Sequence, residues 1–248
     1  MANYQKDDFY KNFRLNNKNQ SVKAKGVITP HHLFANYLIE KIFNKVKNNR
    51  VDQVILIGPN HGDLGHNLII TSEAIWITNF GKIYPNKDSI KKLKEDDLVS
   101  VEEEPFNKEH SIYNILPYIK ISFPKAKIVP IILKARVNQN VSSQLADKLT
   151  QITTPNTLII VSIDFSHFQT PLVAAEHDKE SIKTITNFDF DKIYSQDVDS
   201  PPTLYVLLKY LKLMGYDKFT LLENTNSGFL SNNPDLIETT SYITGYFQ

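Results

Sequence analysis

Short, continuous apolar runs alternate along this chain with amphipathic segments, and this alternation restricts the possible folds more than any other feature. The segments QVILIG (53–58) and TLIIVSID (157–164) are apolar along most of their length, which is typical of strands buried on both faces of a sheet. Buried strands separated by helices predict a three-layer α/β fold with a mainly parallel central sheet flanked by helices. The last strands of the chain are also compatible with antiparallel pairing.

Hydrophobic periodicity and the positions of Gly and Pro predict the remaining elements. We predict further strands at 26–29, 67–71, 74–78, 127–133, 217–223 and 239–247. We predict helices at 33–49, 86–95, 109–122, 140–151, 173–186 and 201–214. The strands at 67–71 and 74–78 are expected to pair with each other, and the acidic stretch 96–104 to be a loop or an irregular edge. Residues 26–248 then form a single domain, preceded by a flexible polar arm at 1–25.

The composition excludes several classes of function. The chain has 248 residues and no cysteine, which rules out disulfides, thiolate metal ligands and a cysteine nucleophile. Its formal net charge of +1 provides no overall field to attract nucleic acid or an anionic membrane. The first residues contain no apolar signal region, and no apolar run is long enough to span a membrane. We therefore expect a cytoplasmic protein with neither nucleic acid nor a membrane as its partner.

Three of the seven histidines come shortly after predicted strands. His31 follows GVIT, His61 follows VILIG, and His167 follows LIIVSID. Because ligands bind outside the carboxyl ends of the strands in an α/β sheet, we expect these histidines to share one site. Histidine serves both as a metal ligand and as an acid–base group near neutral pH, so the role of each remains open. His66 in a loop and His177 on a helix are expected to lie outside the site.

The segments GVITPHH, VILIGPNH, KEHSIYNILPY, KIVPIIL and LIIVSIDFSH occur in an order and at spacings that resemble the Memo family, also called AmmeMemoRadiSam system protein B. The resemblance covers residues 26–247, including the final segment TTSYITGYF. It implies the fold of class III, LigB-type extradiol dioxygenases and a pocket able to hold a metal and a small-molecule substrate. It also implies a radical-SAM protein and an AMMECR-type protein as functional partners.

Transferred position by position, the family's metal ligands fall on His31, on His61 and, in place of a family cysteine, on Asp199. Two histidines and one carboxylate form the ligand set of non-haem Fe(II) oxygenases, so we expect Fe(II), with zinc or copper as alternatives. Three interpretations of the third position stay open. Asp199 is the ligand, Asp197 is the ligand, or no side chain takes this position because Asp199 or Ser200 only caps the following helix.

The resemblance also implies the acid–base residues of the pocket. His167 and His110 are the candidates, and Asp164 is expected to orient a neighbouring histidine or the backbone. The family's polar Glu and His after the Glu-His-Ser motif are replaced here by Tyr113 and Ile115. These replacements lie near the expected pocket, so the family's substrate does not carry over directly to this chain.

Three functional hypotheses follow. The first is an Fe(II)-dependent redox or dioxygenase-type enzyme with a mononuclear metal pocket at the strand ends. The second is a non-catalytic binding or partner protein with a vestigial pocket, which the lost cysteine and the replaced pocket residues favour. The third is a zinc-dependent hydrolase with the same ligands, in which bound water would have a pKa of about 7.

Overall fold

The computed structural model describes residue 13, residues 21–47 and residues 50–248. The strands are β1 (Gly26–Thr29), β2 (Gln53–Pro59), β3 (Ile69–Thr71), β4 (Trp76–Thr78), β5 (Gly81–Ile83), β6 (Ser100–Val101), β7 (Lys127–Leu133), β8 (Thr157–Ser162), β9 (Phe165–Gln169), β10 (Phe219–Asn226) and β11 (Thr239–Phe247). The α-helices are α1 (Asn36–Val46), α2 (Lys87–Leu93), α3 (His110–Tyr113), α4 (Leu116–Ser122), α5 (Gln139–Ile152), α6 (Pro171–Asn187), α7 (Pro201–Leu213) and α8 (Ser227–Leu230). Short 3-10 helices lie at Leu33–Ala35, Glu104–Lys108 and Ile193–Ser195.

A mixed sheet of nine strands forms the centre of the molecule, in the order β10-β11-β1-β8-β2-β7-β3-β6, with β9 paired to β11. The four neighbours β1, β8, β2 and β7 are parallel. Strand β3 is antiparallel to β7, and β11 is antiparallel to β1, β9 and β10. The predicted α/β fold with a parallel centre is therefore confirmed, and the last strands are antiparallel.

The two faces of the central strands belong to two separate hydrophobic cores. Ile55 shares one core with Leu149 of α5 and Leu207 of α7. Its neighbour Leu56 points to the opposite face and shares the other core with Ile42 of α1, and α4 packs on that side as well. Because successive side chains alternate between the faces of a strand, a strand covered by helices on both sides must be apolar throughout. This requirement explains the continuous apolar runs.

Several predictions of local structure are wrong. The segments 67–71 and 74–78 do not pair with each other, since β3 pairs with β7 and β6, and β4 pairs with β5 in a separate hairpin. The helix predicted over 109–122 is divided into α3 and α4, with Pro117 in the first turn of α4, where a missing N–H breaks no helical hydrogen bond. The acidic stretch 96–104 contains the short edge strand β6, as expected for an irregular edge.

The predicted N-terminal arm lies largely outside the described residues, since residues 1–12 and 14–20 are not described. The ring of Phe13 is buried and meets the ring of Tyr118 edge-on, with 5.0 Å between centroids. The Lys25 N–H donates to the carbonyl of Phe247 at 2.9 Å, immediately before β1 begins. Across the described part of the chain, we find no helix that combines the length and the apolar character needed to cross a membrane.

Candidate metal centre

Three parallel strands place three polar side chains at one edge of the sheet. His31 follows the end of β1, Asp164 follows the end of β8, and His61 follows the end of β2, each by two residues. Asp199 joins them from the loop before α7. The N-cap of that helix is Ser200, whose side chain accepts a hydrogen bond from the backbone within the first turn. The capping role therefore belongs to Ser200, and the carboxylate of Asp199 faces the histidines.

The carboxylate of Asp199 lies close to one ring nitrogen of each of the two histidines. Asp199 Oδ2 lies 3.5 Å from His31 Nε2 and 3.8 Å from His61 Nε2. Ligand atoms that each lie about 2.1 Å from one ion are roughly 3.4 Å apart in a tetrahedral arrangement. Asp199 Oδ1 is buried and has no hydrogen-bond partner among the described residues. Since buried carboxylate oxygens are almost always paired, this unpaired oxygen fits a residue that binds a cation.

Both histidines are held with the same nitrogen toward the centre. His31 Nδ1–H donates to the carbonyl of Ser162 at 3.2 Å, and His61 Nδ1–H donates to Glu109 Oε1 at 2.8 Å. Glu109 is fixed in turn by the N–H of His61 at 2.9 Å and by the N–H of Ser111 at 3.0 Å. These hydrogen bonds select the tautomer that leaves Nε2 unprotonated, as a metal ligand requires.

Asp164 connects two of the expected ligands. Its Oδ1 accepts the N–H of His31 at 3.2 Å, and its own N–H donates to Asp199 Oδ2 at 3.0 Å. The N–H of Asp199 donates back to the carbonyl of Asp164 at 3.0 Å. Asp164 Oδ2 also lies 3.3 Å from His31 Nε2, so this carboxylate is within ligand distance of the same point. In the described part of the chain, His31, Asp164 and Asp199 form one of two groups able to hold a metal ion.

His110 belongs to the second such group, together with His31 and His61. It begins α3, and its ring stacks on that of His61 with 4.2 Å between centroids. The His31 ring meets it edge-on at 4.9 Å. Burial, and then the neighbouring His61, lower the pKa of His110. The structure therefore places His110 against the expected ligands, as a neutral imidazole able to bind a metal or to accept a proton.

The electrostatics of the cluster favour a bound cation. Burial, followed by the nearby His110 and His61, holds the pKa of His31 well below its usual value. Burial, followed by the carboxylate of Asp164, raises the pKa of Asp199 well above its usual value. Neutral imidazole is the form of histidine that binds a metal, and a cation beside Asp199 would reduce the cost of ionising its carboxylate.

His167 enters the site from β9, a strand that the sequence analysis did not predict. Residues 165, 167 and 169 of β9 pair with the consecutive residues 241, 240 and 239 of β11. Ser166 and Phe168 are therefore extra residues of two successive β-bulges, one on each side of His167. Bulges of this kind re-aim side chains next to functional sites. The half-buried His167 lines the cleft, and burial is the main cause of its lowered pKa.

A buried carboxylate lies behind β9. Asp178 on α6 accepts hydrogen bonds from Ser241 Oγ at 2.6 Å, from Asn224 Nδ2 at 2.6 Å and from Ser166 Oγ at 3.5 Å. Burial raises the pKa of Asp178 to about 6. This carboxylate ties α6 to β9, β10 and β11, and thereby supports the bulged strand that carries His167.

Three further polar residues lie outside the two ligand groups found in the described residues. Asp197 Oδ2 accepts a hydrogen bond from His177 Nδ1 at 3.0 Å near the surface, and Asp197 belongs to neither ligand group found in the described residues. His66 is exposed, as expected. His32 Nδ1 lies 2.7 Å from the hydroxyl of Tyr242, and His32 forms part of the cleft wall.

The cluster lies in an open cleft of about 310 Å³. Polar side chains, above all histidines, form most of its wall. The lining residues are His31, His32, Leu33, His61, His110, Tyr113, Asn114, Asp164, His167 and Thr240. A volume of this size suits a small molecule.

Comparison with known proteins gives a consistent result. A family model described as "Memo-like protein" matches residues 3–244. A MEMO1 family protein of Methanococcus vannielii is 28% identical over 243 residues, with 90% of this chain and 82% of the relative covered. A MEMO1 family protein of Nitrosopumilus maritimus is 26% identical over 232 residues, with 89% and 82% covered. In fold, the chain is similar to the uncharacterized protein JW3007 of Escherichia coli K12, with a TM-score of 0.53, 10% identity, and 88% of this chain and 98% of that chain covered.

Proposed function

Since this chain belongs to the Memo-like protein family, we propose that it binds one divalent metal ion through His31, His61 and Asp199 and carries out Fe(II)-dependent redox chemistry. The convergence of Asp199 Oδ2 on the two Nε2 atoms, at 3.5 and 3.8 Å, is the observation that carries this proposal. Two histidines and one carboxylate match the ligands of non-haem Fe(II) oxygenases. Relationship to the LigB-type extradiol dioxygenases is part of the same proposal.

A bound Fe(II) would supply redox chemistry and open coordination positions for substrate. The side chains of this chain then bind, orient and move protons. His167 and His110 both have lowered pKa values, so each is neutral near pH 7 and able to accept a proton from a substrate hydroxyl. Asp164 holds the backbone of His31 and the carboxylate of Asp199 in place.

A zinc-dependent hydrolase is the second candidate. The separations of 3.5 and 3.8 Å between ligand atoms are close to those of a tetrahedral zinc site with three protein ligands and one water. The same histidines would then accept the proton of a water molecule instead of that of a substrate hydroxyl. The metal preference of the purified protein separates the two candidates.

The test is the metal content of purified protein after anaerobic loading with Fe(II), in wild type and in the His31→Ala/His61→Ala double variant. His66→Ala, which removes an exposed histidine outside the site, is the matched control. We expect about one iron per chain in wild type and in the control, and none in the double variant. Absence of bound metal in loaded wild type would refute the proposal.

Oxygen uptake with simple catechols then tests the reaction. Uptake by the iron-loaded wild type, lost in the double variant, supports redox chemistry. Stoichiometric iron without any uptake would leave a metal-binding protein and reject the catechol oxygenase reaction. Zinc bound in preference to iron, together with ester hydrolysis, would favour the second candidate.

A further inference from the structure

Three aromatic side chains stand beside the histidines of the cleft, each from a different element. The ring centroid of Phe34 lies 6.2 Å from that of His32. Those of Tyr113 and His110 are 6.5 Å apart, and those of Phe168 and His167 are 6.0 Å apart. All three histidines and Tyr113 line the cleft, and Phe34 and Phe168 lie next to two of these histidines at what we call its rim.

The side-chain exposure and the backbone conformation of Phe168 are both energetically unfavourable in the free protein. It is 77% exposed, and its backbone is left-handed with a φ of 57°, which is rare for a bulky residue. Strained backbone of this kind persists mainly where function requires it. Phe34, on the side of the cleft that carries His32, is 48% exposed. Two phenyl rings held in water beside one polar cleft indicate a surface that a ligand covers.

Two more apolar side chains near β9 in the sequence or its pairing are also exposed. Gln169 of β9 pairs with Thr239 of β11. Leu172 follows Gln169 by three residues, Ile237 precedes Thr239 by two residues, and each of these two side chains is 71% exposed. Exposed apolar side chains that cluster mark a binding site more often than isolated ones do.

The wall of the cleft restricts the chemistry of the ligand. Among its described lining residues there is neither lysine nor arginine. Phosphates and other strongly anionic groups are normally bound by these two residues, so the cleft does not suit them. A neutral or singly charged group with oxygen donors is better matched to a metal ion surrounded by histidines.

We propose that the ligand of this centre is a small molecule with a chelating oxygen head group and an apolar, preferably aromatic, extension, and that Phe168 and Phe34 determine specificity by contacting this extension. This inference depends on the proposed metal centre. The head group enters the cleft, and the extension lies against the rim, where it covers apolar surface that is exposed in the free protein.

Two hydroxamates with the same head group test the proposal. Acetohydroxamate has almost no apolar body, whereas 4-phenylbenzohydroxamate adds two aromatic rings. Isothermal titration of the Fe(II)-loaded full chain under nitrogen is expected to show that the second binds at least about tenfold more tightly, because its rings are removed from water.

The rim variants identify the residues responsible. Phe168→Ala and Phe34→Ala are each expected to reduce the ratio of the two dissociation constants about threefold to tenfold, with unchanged affinity for acetohydroxamate and unchanged iron content. Phe168→Leu should retain most of the ratio. Phe80→Ala, which removes a 38%-exposed phenylalanine beside the separate β4–β5 hairpin, is the control and should change neither constant.

The possible failures are distinguishable. A ratio near one in wild type, or a ratio that both rim variants leave unchanged, overturns the inference about the rim while the metal centre stands. A wild-type protein that holds no iron defeats the metal centre, and this inference with it. An unchanged ratio would also redirect attention to a protein partner as the occupant of the apolar surface.

Discussion

Replacement of Asp199 by asparagine isolates the contribution of the carboxylate to the metal centre. Asparagine has the same shape as the aspartate side chain and retains an oxygen able to accept a hydrogen bond from the N–H of Asp164. The loop before α7 should therefore keep its conformation. The variant loses the charge at the point that lies 3.5 Å from His31 Nε2 and 3.8 Å from His61 Nε2. Without metal, it should be at least as stable as wild type, because a buried carboxylate with an unpaired oxygen is costly.

The size of the effect follows from binding linkage. At free metal 100 times the dissociation constant, wild type gains about 2.7 kcal/mol of stability. For a domain of this size, 1 kcal/mol shifts Tm by roughly 2–4 °C, which gives about 5–11 °C. Removing only an outer hydrogen-bond partner of a ligand weakens metal binding about 10- to 100-fold, so loss of a charged ligand should cost at least about 100-fold. The variant would then gain only about 0.4 kcal/mol, or roughly 1 °C.

Thermal unfolding with and without Fe(II), under nitrogen, measures this difference. Asp197→Asn is the matched control, since Asp197 pairs with the exposed His177 and should leave the metal-induced shift of Tm unchanged. A full metal-induced shift in Asp199→Asn would refute the assignment of Asp199 as a ligand. A loss of the shift in both variants would indicate a general effect of charge.

Three further outcomes are expected. Glu109→Gln should weaken metal binding about 10- to 100-fold without loss of folding, because the carboxylate that accepts His61 Nδ1–H at 2.8 Å is removed, and metal titration measures this. Gly58→Ala should lower the free energy of unfolding by about 1–3 kcal/mol in urea titration, because its new Cβ would lie 2.5 Å from Ser111 Oγ; unchanged stability would contradict this packing. The third variant, Asp178→Asn, tests a pH dependence of stability. Because the pKa of Asp178 is raised to about 6 in the folded protein, wild type loses stability as the pH rises through that value. The difference in free energy of unfolding between wild type and Asp178→Asn should therefore shift by about 1.4 kcal/mol in favour of wild type between pH 8 and pH 5, and a constant difference would contradict the assignment.

The parallel part of the fold was predictable because it depends on local patterns. Strands covered on both faces must be apolar at every position, and parallel strands end at the same edge. The positions of His31 and His61 follow from these two rules alone. The N-cap role of Glu109 is also local, since its side chain accepts the N–H of Ser111. Its partner His61, 48 residues away, is brought there only by the completed sheet.

Side-chain direction in irregular segments was not predictable in this way. Asp199 and Asp197 are both acidic residues before the same helix, and nothing local distinguishes them. Two hydrogen bonds between Asp199 and Asp164, one of them to the Asp199 carboxylate, dock the loop against the end of β8. Asp197, two residues earlier, turns instead toward His177. The direction of each carboxylate is therefore set by tertiary contacts.

Strand β9 was missed for a related reason, and its irregularity has a functional consequence. Two successive bulges break the alternation by which a strand is identified in sequence. In a regular strand, Ser166 and Phe168 would both lie on the face opposite His167. Here Ser166 meets the buried Asp178, whereas Phe168 is exposed to solvent. One short bulged strand therefore carries Ser166 in contact with Asp178, His167 in the wall of the cleft and Phe168 exposed to solvent.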